Sequence, residues 1–171
     1  MQHNFFTLSE YNEILKNQPV SDENSFILAK KHNSQLTKPE GSLGKLETLA
    51  LFFAGWQGVS KPKLDKVQIA IFAGNHGVTR QGISAFPAEV TAQMVANFEH
   101  GGAAINALAS AYGLSLDVIP LDIDRPTEDF SETAAMSEDE MLAALNAGAR
   151  AIDPANDIVV LGEMGIGNTT T

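Results

Sequence analysis

Residues 67–77 read VQIAIFAGNHG, and this stretch decides the fold. The run from Val67 to Ala73 is short, apolar and β-branched, and Gly74 closes it. That pattern predicts a strand buried on both faces, as strands of a parallel sheet are. A glycine-spaced loop, NHGVTRQGISAFP (75–87), follows, and Pro87 suits the first turn of a helix. In PAEVTAQMVANFEHG (87–101), Val90, Met94, Val95 and Phe98 recur at helical spacing, and the alanine-rich GGAAINALASAYG (101–113) reads as a second helix. LSLDVIPLD (114–122) is a second strand whose Pro120 pushes its end to an edge or past the ladder. Ser137 and Glu140 form a capping box for EDEMLAALNAGARAID (138–153), and DIVVLGE (157–163) is a third strand. Strands alternating with helices imply right-handed crossovers and an α/β, doubly wound parallel sheet.

Upstream, the first 60 residues read as helical and form a separate N-terminal segment (1–60), with 61–171 as the first part of the sheet domain. Ser21 is the expected cap of a helix running to about Gln35. Pro39, Gly41 and Gly44 break it. KLETLALFFAGWQG then places Leu46, Leu49, Ala50, Phe53 and Trp56 on one face and stops at Gly58. At the other end, GEMGIGNTTT (162–171) stands where a helix should begin to cover the third strand, so the chain reads as cut and the sheet as incomplete.

Composition narrows the function. The 171 residues include 44% hydrophobic and 19% charged side chains, enough apolar material for a core. The absence of cysteine removes disulfides and thiolate chemistry. Net charge is −10, unevenly placed: +2 over residues 1–80 and −12 over 81–171. Such a balance argues against nucleic acid or an anionic membrane as partner. Residues 122–140 hold eight acids against Arg125 alone, and read as a solvated loop leading into a helix. The N-terminus lacks the basic-then-apolar pattern of a signal peptide, and no run of about 18 apolar residues occurs. A soluble, cytoplasmic protein is the expectation.

Ligands of open parallel sheets bind beyond the carboxyl ends of the strands. Two loops qualify, 74–77 (GNHG) and 162–170 (GEMGIGNTT). Small residues in the second let backbone amides approach a phosphate, with threonine hydroxyls as further donors. It is read equally as an anion cradle or as a tight turn. Its spacing is Gly-x-x-Gly-x-Gly, neither a Walker loop nor a dinucleotide fingerprint. His76, between glycines, is either a hydrogen-bonded scaffold residue or a base. Glu163 is either an acceptor for loop amides or a substrate contact. His3, His32 and His100 have no partners at metal-ligand spacing, so no metal site is expected.

Taken in order, TKPEGSLGKLETLA (37–50), IFAGNHGVTRQGISAFPAEVTAQMV (71–95), GGAAINALA (101–109) and GEMGIGNTTT resemble one family, the nicotinate-nucleotide–dimethylbenzimidazole phosphoribosyltransferases. The resemblance runs from about residue 20 onward. It implies a Rossmann-like sheet, a smaller helical domain drawing on the N-terminal segment, a homodimer and no cofactor. It implies transfer of phosphoribose from nicotinate mononucleotide to 5,6-dimethylbenzimidazole for the lower ligand of cobalamin. Glu163, Gly165, Gly167 and Asn168 match the motif beside the phosphate and ribose. Phe86, Met94 and Met164 match positions lining the base pocket. The family's catalytic glutamate lies in a half this sequence does not contain, so no catalytic residue is expected here and the 171 residues alone are expected to be inactive. The alternative is a non-catalytic nucleotide- or base-binding α/β module.

Overall fold

β1 (Val67–Ala73) is the centre of the molecule's sheet. The computed structural model describes residues 4–170, which leaves His3 and Thr171 outside the described residues. β2 (Ser115–Pro120) and β3 (Ile158–Met164) flank β1 in the order β2-β1-β3, both parallel to it. Ile69, Ala70, Ile71 and Ala73 are all buried, so the apolar run of β1 is covered on both faces as its sequence requires. Pro120 is the last residue of β2, an edge strand, where its missing N–H costs no central ladder bond.

Helices α4 (Glu89–Glu99) and α5 (Ala104–Tyr112) carry the chain from β1 to β2. On their side of the sheet Ile69 and Ile71 pack with Phe98 and Ala109, and Met94, Ile105, Leu116, Val118 and Met164 close around them. Helix α6 (Glu138–Ala151) returns the chain to β3, and its start carries the reciprocal Ser137–Glu140 cap. Its far end is bound through Gln68, which points to the opposite face from Ile69. The buried Gln68 amide donates to Asp117 Oδ2 at 2.7 Å and to the Ala151 carbonyl at 2.8 Å. Its Oε1 accepts from the Asp153 N–H and Asn156 Nδ2. One side chain thus ties together β1, β2 and the entry to β3. Helices lie on both faces, and the sheet is open rather than closed into a barrel.

The chain divides into two units, one of residues 13–65 and one comprising the sheet with residues 4–12. Phe5 joins the sheet unit through the Asn146 side chain: its N–H donates to Asn146 Oδ1 at 2.6 Å, and Asn146 Nδ2 donates to the Phe5 carbonyl at 2.7 Å. Among the described residues no helix is long and apolar enough to cross a membrane.

The first helix, α1, is Leu8–Lys16, and in the 13–65 unit α2 (Glu23–Ser34) packs on α3 (Lys45–Gln57). The cap of α2 is Asp22, whose carboxylate accepts from the Ser25 N–H, and not Ser21 as the sequence suggested. Ser21 sits instead against Gly55 of α3, where a Cβ on the glycine would collide with its hydroxyl, while the Asp22 N–H donates to the Gly55 carbonyl. Close approach therefore falls on Ala54 and Gly55, the buried residues of α3. The stripe of Leu46, Leu49 and Trp56 is largely exposed, Leu46 at 63%. The expected apolar face was misplaced because α3 is apolar nearly all round, and size rather than hydrophobicity selects the contact.

Between these helices the loop 37–44 is fastened by Glu47. Its carboxylate meets Lys38 Nζ at 2.8 Å, Asn33 Nδ2 at 2.9 Å and the Leu43 N–H at 3.1 Å. The Lys38 ammonium, then the Asn33 amide and the Leu43 N–H, hold its carboxyl down at about 2. A depressed carboxyl stabilises the fold above its unfolded value of 4.5, and the contribution is lost as pH falls from there toward 2. Protection of the α2 and α3 amides, taken relative to their intrinsic exchange rates at each pH, is therefore expected to fall over that interval, and Glu47→Gln to flatten the dependence. A variant retaining the wild-type slope would contradict this assignment.

Candidate functional site

Parallel pairing sets Ala73 opposite Met164, so β1 and β3 end side by side. The loops that follow them, 74–77 and 165–170, consequently meet at one place. This is the switch point of the sheet, where the chain leaves β1 toward β2 on one side and β3 lies on the other. The two loops singled out in the sequence form one site.

Their contact is close. The Gly74 N–H donates to the Met164 carbonyl at 3.0 Å, extending the ladder by one residue. Gly165 is then pressed onto the Gly74 carbonyl, where a Cβ would collide, and the same Cβ would lie 3.4 Å from His76 Nε2. Only glycine permits this approach. The Asn168 N–H turns back to the Gly165 carbonyl and the Thr170 N–H to that of Gly167, closing a short 3₁₀ turn over Asn168–Thr170. The buried Ile166 donates its N–H to Thr91 Oγ1 on α4. The N–H groups of Gly165 and Gly167 donate to no acceptor among the described residues. The segment is a tight turn, and it also presents amides, so the two sequence readings are compatible.

Glu163 is exposed at the end of β3. It borders a hollow of about 400 Å³ floored by Ile69, Ile71 and Gly162 and walled by Phe98, Ile105 and Val160. His76 is half-buried, and burial lowers its pKa against the opposing pull of the Glu163 carboxylate. A neutral imidazole next to a carboxylate can accept or relay a proton at this strand end.

Met94 and Met164 each pack against the cluster of Ile69, Ile71 and Phe98. Phe86, on the loop before α4, is 63% exposed and stands apart from that cluster. Among the described residues no group of three His, Asp or Glu side chains converges as a metal site. His100 is occupied locally, with Nδ1 2.6 Å from the Ala96 carbonyl.

Sequence reasoning missed the strap formed by the acidic segment. Thr127 donates its N–H to the Asn75 carbonyl, and Asn75 Nδ2 reaches the Ile123 carbonyl at 3.0 Å. Gly77 lies so close to the backbone of 127–129 that a Cβ would strike the Thr127 carbonyl. Asp129 is buried, not solvated as expected for this stretch. Its carboxylate accepts from the Ser131 hydroxyl and N–H and from Gln81 Nε2, contacts that keep its pKa low. The Asx-type sequence Asp129-Phe130-Ser131 was the available signal. Thr91 was missed as well, since an isolated threonine on a helix carries no mark of a distant amide.

The sequence profile of a family described as phosphoribosyltransferase matches residues 19–171. The chain belongs to that family. It is similar to a protein of Ruegeria pomeroyi named nicotinate-nucleotide–dimethylbenzimidazole phosphoribosyltransferase, at 56% identity over 95% of this chain and 48% of the relative. A protein of the same name from Roseobacter denitrificans is 56% identical over 97% of this chain and 49% of its own length. A crystal structure of a nicotinate-nucleotide–dimethylbenzimidazole phosphoribosyltransferase from Thermus thermophilus superposes with a TM-score of 0.79 and 38% identity, covering 87% of this chain and 51% of that one. The chain spans about half the length of the curated relatives it matches.

The packing of the two loops yields a direct expectation. Gly165→Ala forces its methyl onto the Gly74 carbonyl and should cost about 1–3 kcal/mol, the usual range for overpacking a close contact. Urea denaturation measures this, and an unchanged midpoint would show that the loops separate freely.

Proposed function

We propose that this chain supplies the nucleotide-binding part of an enzyme that transfers phosphoribose from nicotinate mononucleotide to 5,6-dimethylbenzimidazole. The products are α-ribazole 5'-phosphate and nicotinate, the former for the lower ligand of cobalamin. The observation that carries the reading is the turn 163–168, held against the end of β1 at the sheet's switch point, within a family match that includes it.

On this reading Glu163, Gly165, Gly167 and Asn168 surround the phosphate and ribose. The amides of Gly165 and Gly167 supply the donors in a chain with few cations near the site. Met94 and Met164 offer the apolar wall against which a flat aromatic base would lie, and Phe86 would complete it from the preceding loop. The 13–65 unit belongs to a smaller helical domain, and the working enzyme is a cytoplasmic homodimer.

The chemistry suits such a site. The bond from the anomeric carbon to the nicotinate nitrogen breaks, and its electron pair neutralises the pyridinium, so the leaving group departs without a proton. An azole nitrogen forms the new bond to that carbon, and the other azole nitrogen releases its proton to a carboxylate base. On this reading that base belongs to the part of the relatives' length that this chain does not cover.

Chromatographic detection of α-ribazole 5'-phosphate tests the proposal. The 171-residue chain alone should fall short of a full-length relative by more than the roughly 10²–10⁴ that a general base contributes. Adding the second half of the Ruegeria pomeroyi relative in trans should restore product. Full turnover by the chain alone would contradict the assignment of the base. Failure of calorimetry to detect nicotinate mononucleotide binding, with no product in either arm, would overturn the reading.

A further inference from the structure

We propose that Thr91 is a positioning residue that sets the phosphate turn relative to the base-lining helix α4. The proposal rests on the reading of 163–168 as the phosphate site. Thr91 lies in the first turn of α4, is completely buried, and accepts the Ile166 N–H on Oγ1 at 3.1 Å across 75 positions of sequence. Ile166 is itself 8% exposed, so water cannot readily replace the hydroxyl as acceptor. Ile166 stands between Gly165 and Gly167, whose amides face no acceptor among the described residues. Fixing the central N–H inward orients the two flanking peptide units and leaves their donors pointing elsewhere. Met94 follows Thr91 by three residues and so lies on the adjoining surface of the same helix, packed like Met164 against the β1 cluster. One helix therefore carries both the anchor of the turn and a wall of the base pocket, and the Thr91 hydrogen bond fixes the spacing between them.

The test uses Thr91→Val, which keeps the shape and removes the acceptor, and Thr91→Ser, which keeps the acceptor. The probes are nicotinate mononucleotide, inorganic phosphate and free 5,6-dimethylbenzimidazole by calorimetry, together with amide exchange at Ile166. Thr91→Val is expected to weaken the nucleotide and phosphate by about tenfold, the effect of a buried donor left unpaired. It should leave the free azole within about twofold and abolish protection of the Ile166 amide. Thr91→Ser should restore protection and nucleotide affinity to within about threefold of wild type. A merely structural threonine would move all three ligands together or none.

Unchanged nucleotide affinity with unchanged Ile166 protection in Thr91→Val would overturn the proposal, as would failure of Thr91→Ser to rescue. Should wild type bind neither nucleotide nor phosphate, the phosphate reading fails by itself. Loss of Ile166 protection in Thr91→Val and its recovery in Thr91→Ser would then still support the anchoring role. If Thr91→Val does not fold, wild type and Thr91→Ser decide: slow exchange of Ile166 in both supports the anchor, and fast exchange in wild type overturns it.

Discussion

The hydrogen bond from the Gly74 N–H to the Met164 carbonyl carries the parallel ladder of β1 and β3 one step beyond the strands themselves. Beyond that step the chain has no room for a side chain at Gly165, because the Gly74 carbonyl already occupies the space. The site depends on this exclusion. Two loops separated by some 90 positions are brought within backbone contact, and the peptide units on either side of Ile166 are fixed in direction. The hydrophobic cluster under them, Ile69 and Ile71 with Phe98, makes the strand ends rigid enough for such a contact to be specific.

The phosphate binding proposed for a chain of net charge −10 requires that the local field differ from the global one. In the acidic stretch 122–140, two carboxylates are engaged within the fold. Asp129 is turned inward and its charge answered by Ser131 and Gln81, while Glu140 is committed to the Ser137 cap and to Arg125. These carboxylates act as fasteners: Asp129 holds the strap across the loop after β1, and Glu140 starts α6. Backbone dipoles at the turn act over the first few ångströms, a distance at which they outweigh solvated charges farther away.

Much of the sheet was legible because its signals are local. The run at 67–73, Pro120, the Ser137–Glu140 pair and the stop at Gly58 each specify their element within a few residues, and the structure has them where the sequence put them. The meeting of the two loops followed from topology, since parallel strands place their carboxyl ends together. What escaped was decided at a distance. Asp22 displaced Ser21 as cap because Ser21 is needed against Gly55. The small residues Ala54 and Gly55 won the α2 contact from a longer apolar stripe. Asp129 and Thr91 acquired their roles from partners 48 and 75 positions away, which no periodicity records.

The central claim is that the amides of Gly165 and Gly167 face an anion. Titration of ¹⁵N-labelled chain with nicotinate mononucleotide, followed by two-dimensional amide spectra, tests it most directly. The account predicts that the Gly165 and Gly167 resonances shift first and furthest, that inorganic phosphate reproduces part of the shift, and that Ile166 moves little because its N–H is already engaged. Saturable binding that leaves both glycine amides unmoved while perturbing residues away from the turn would contradict it.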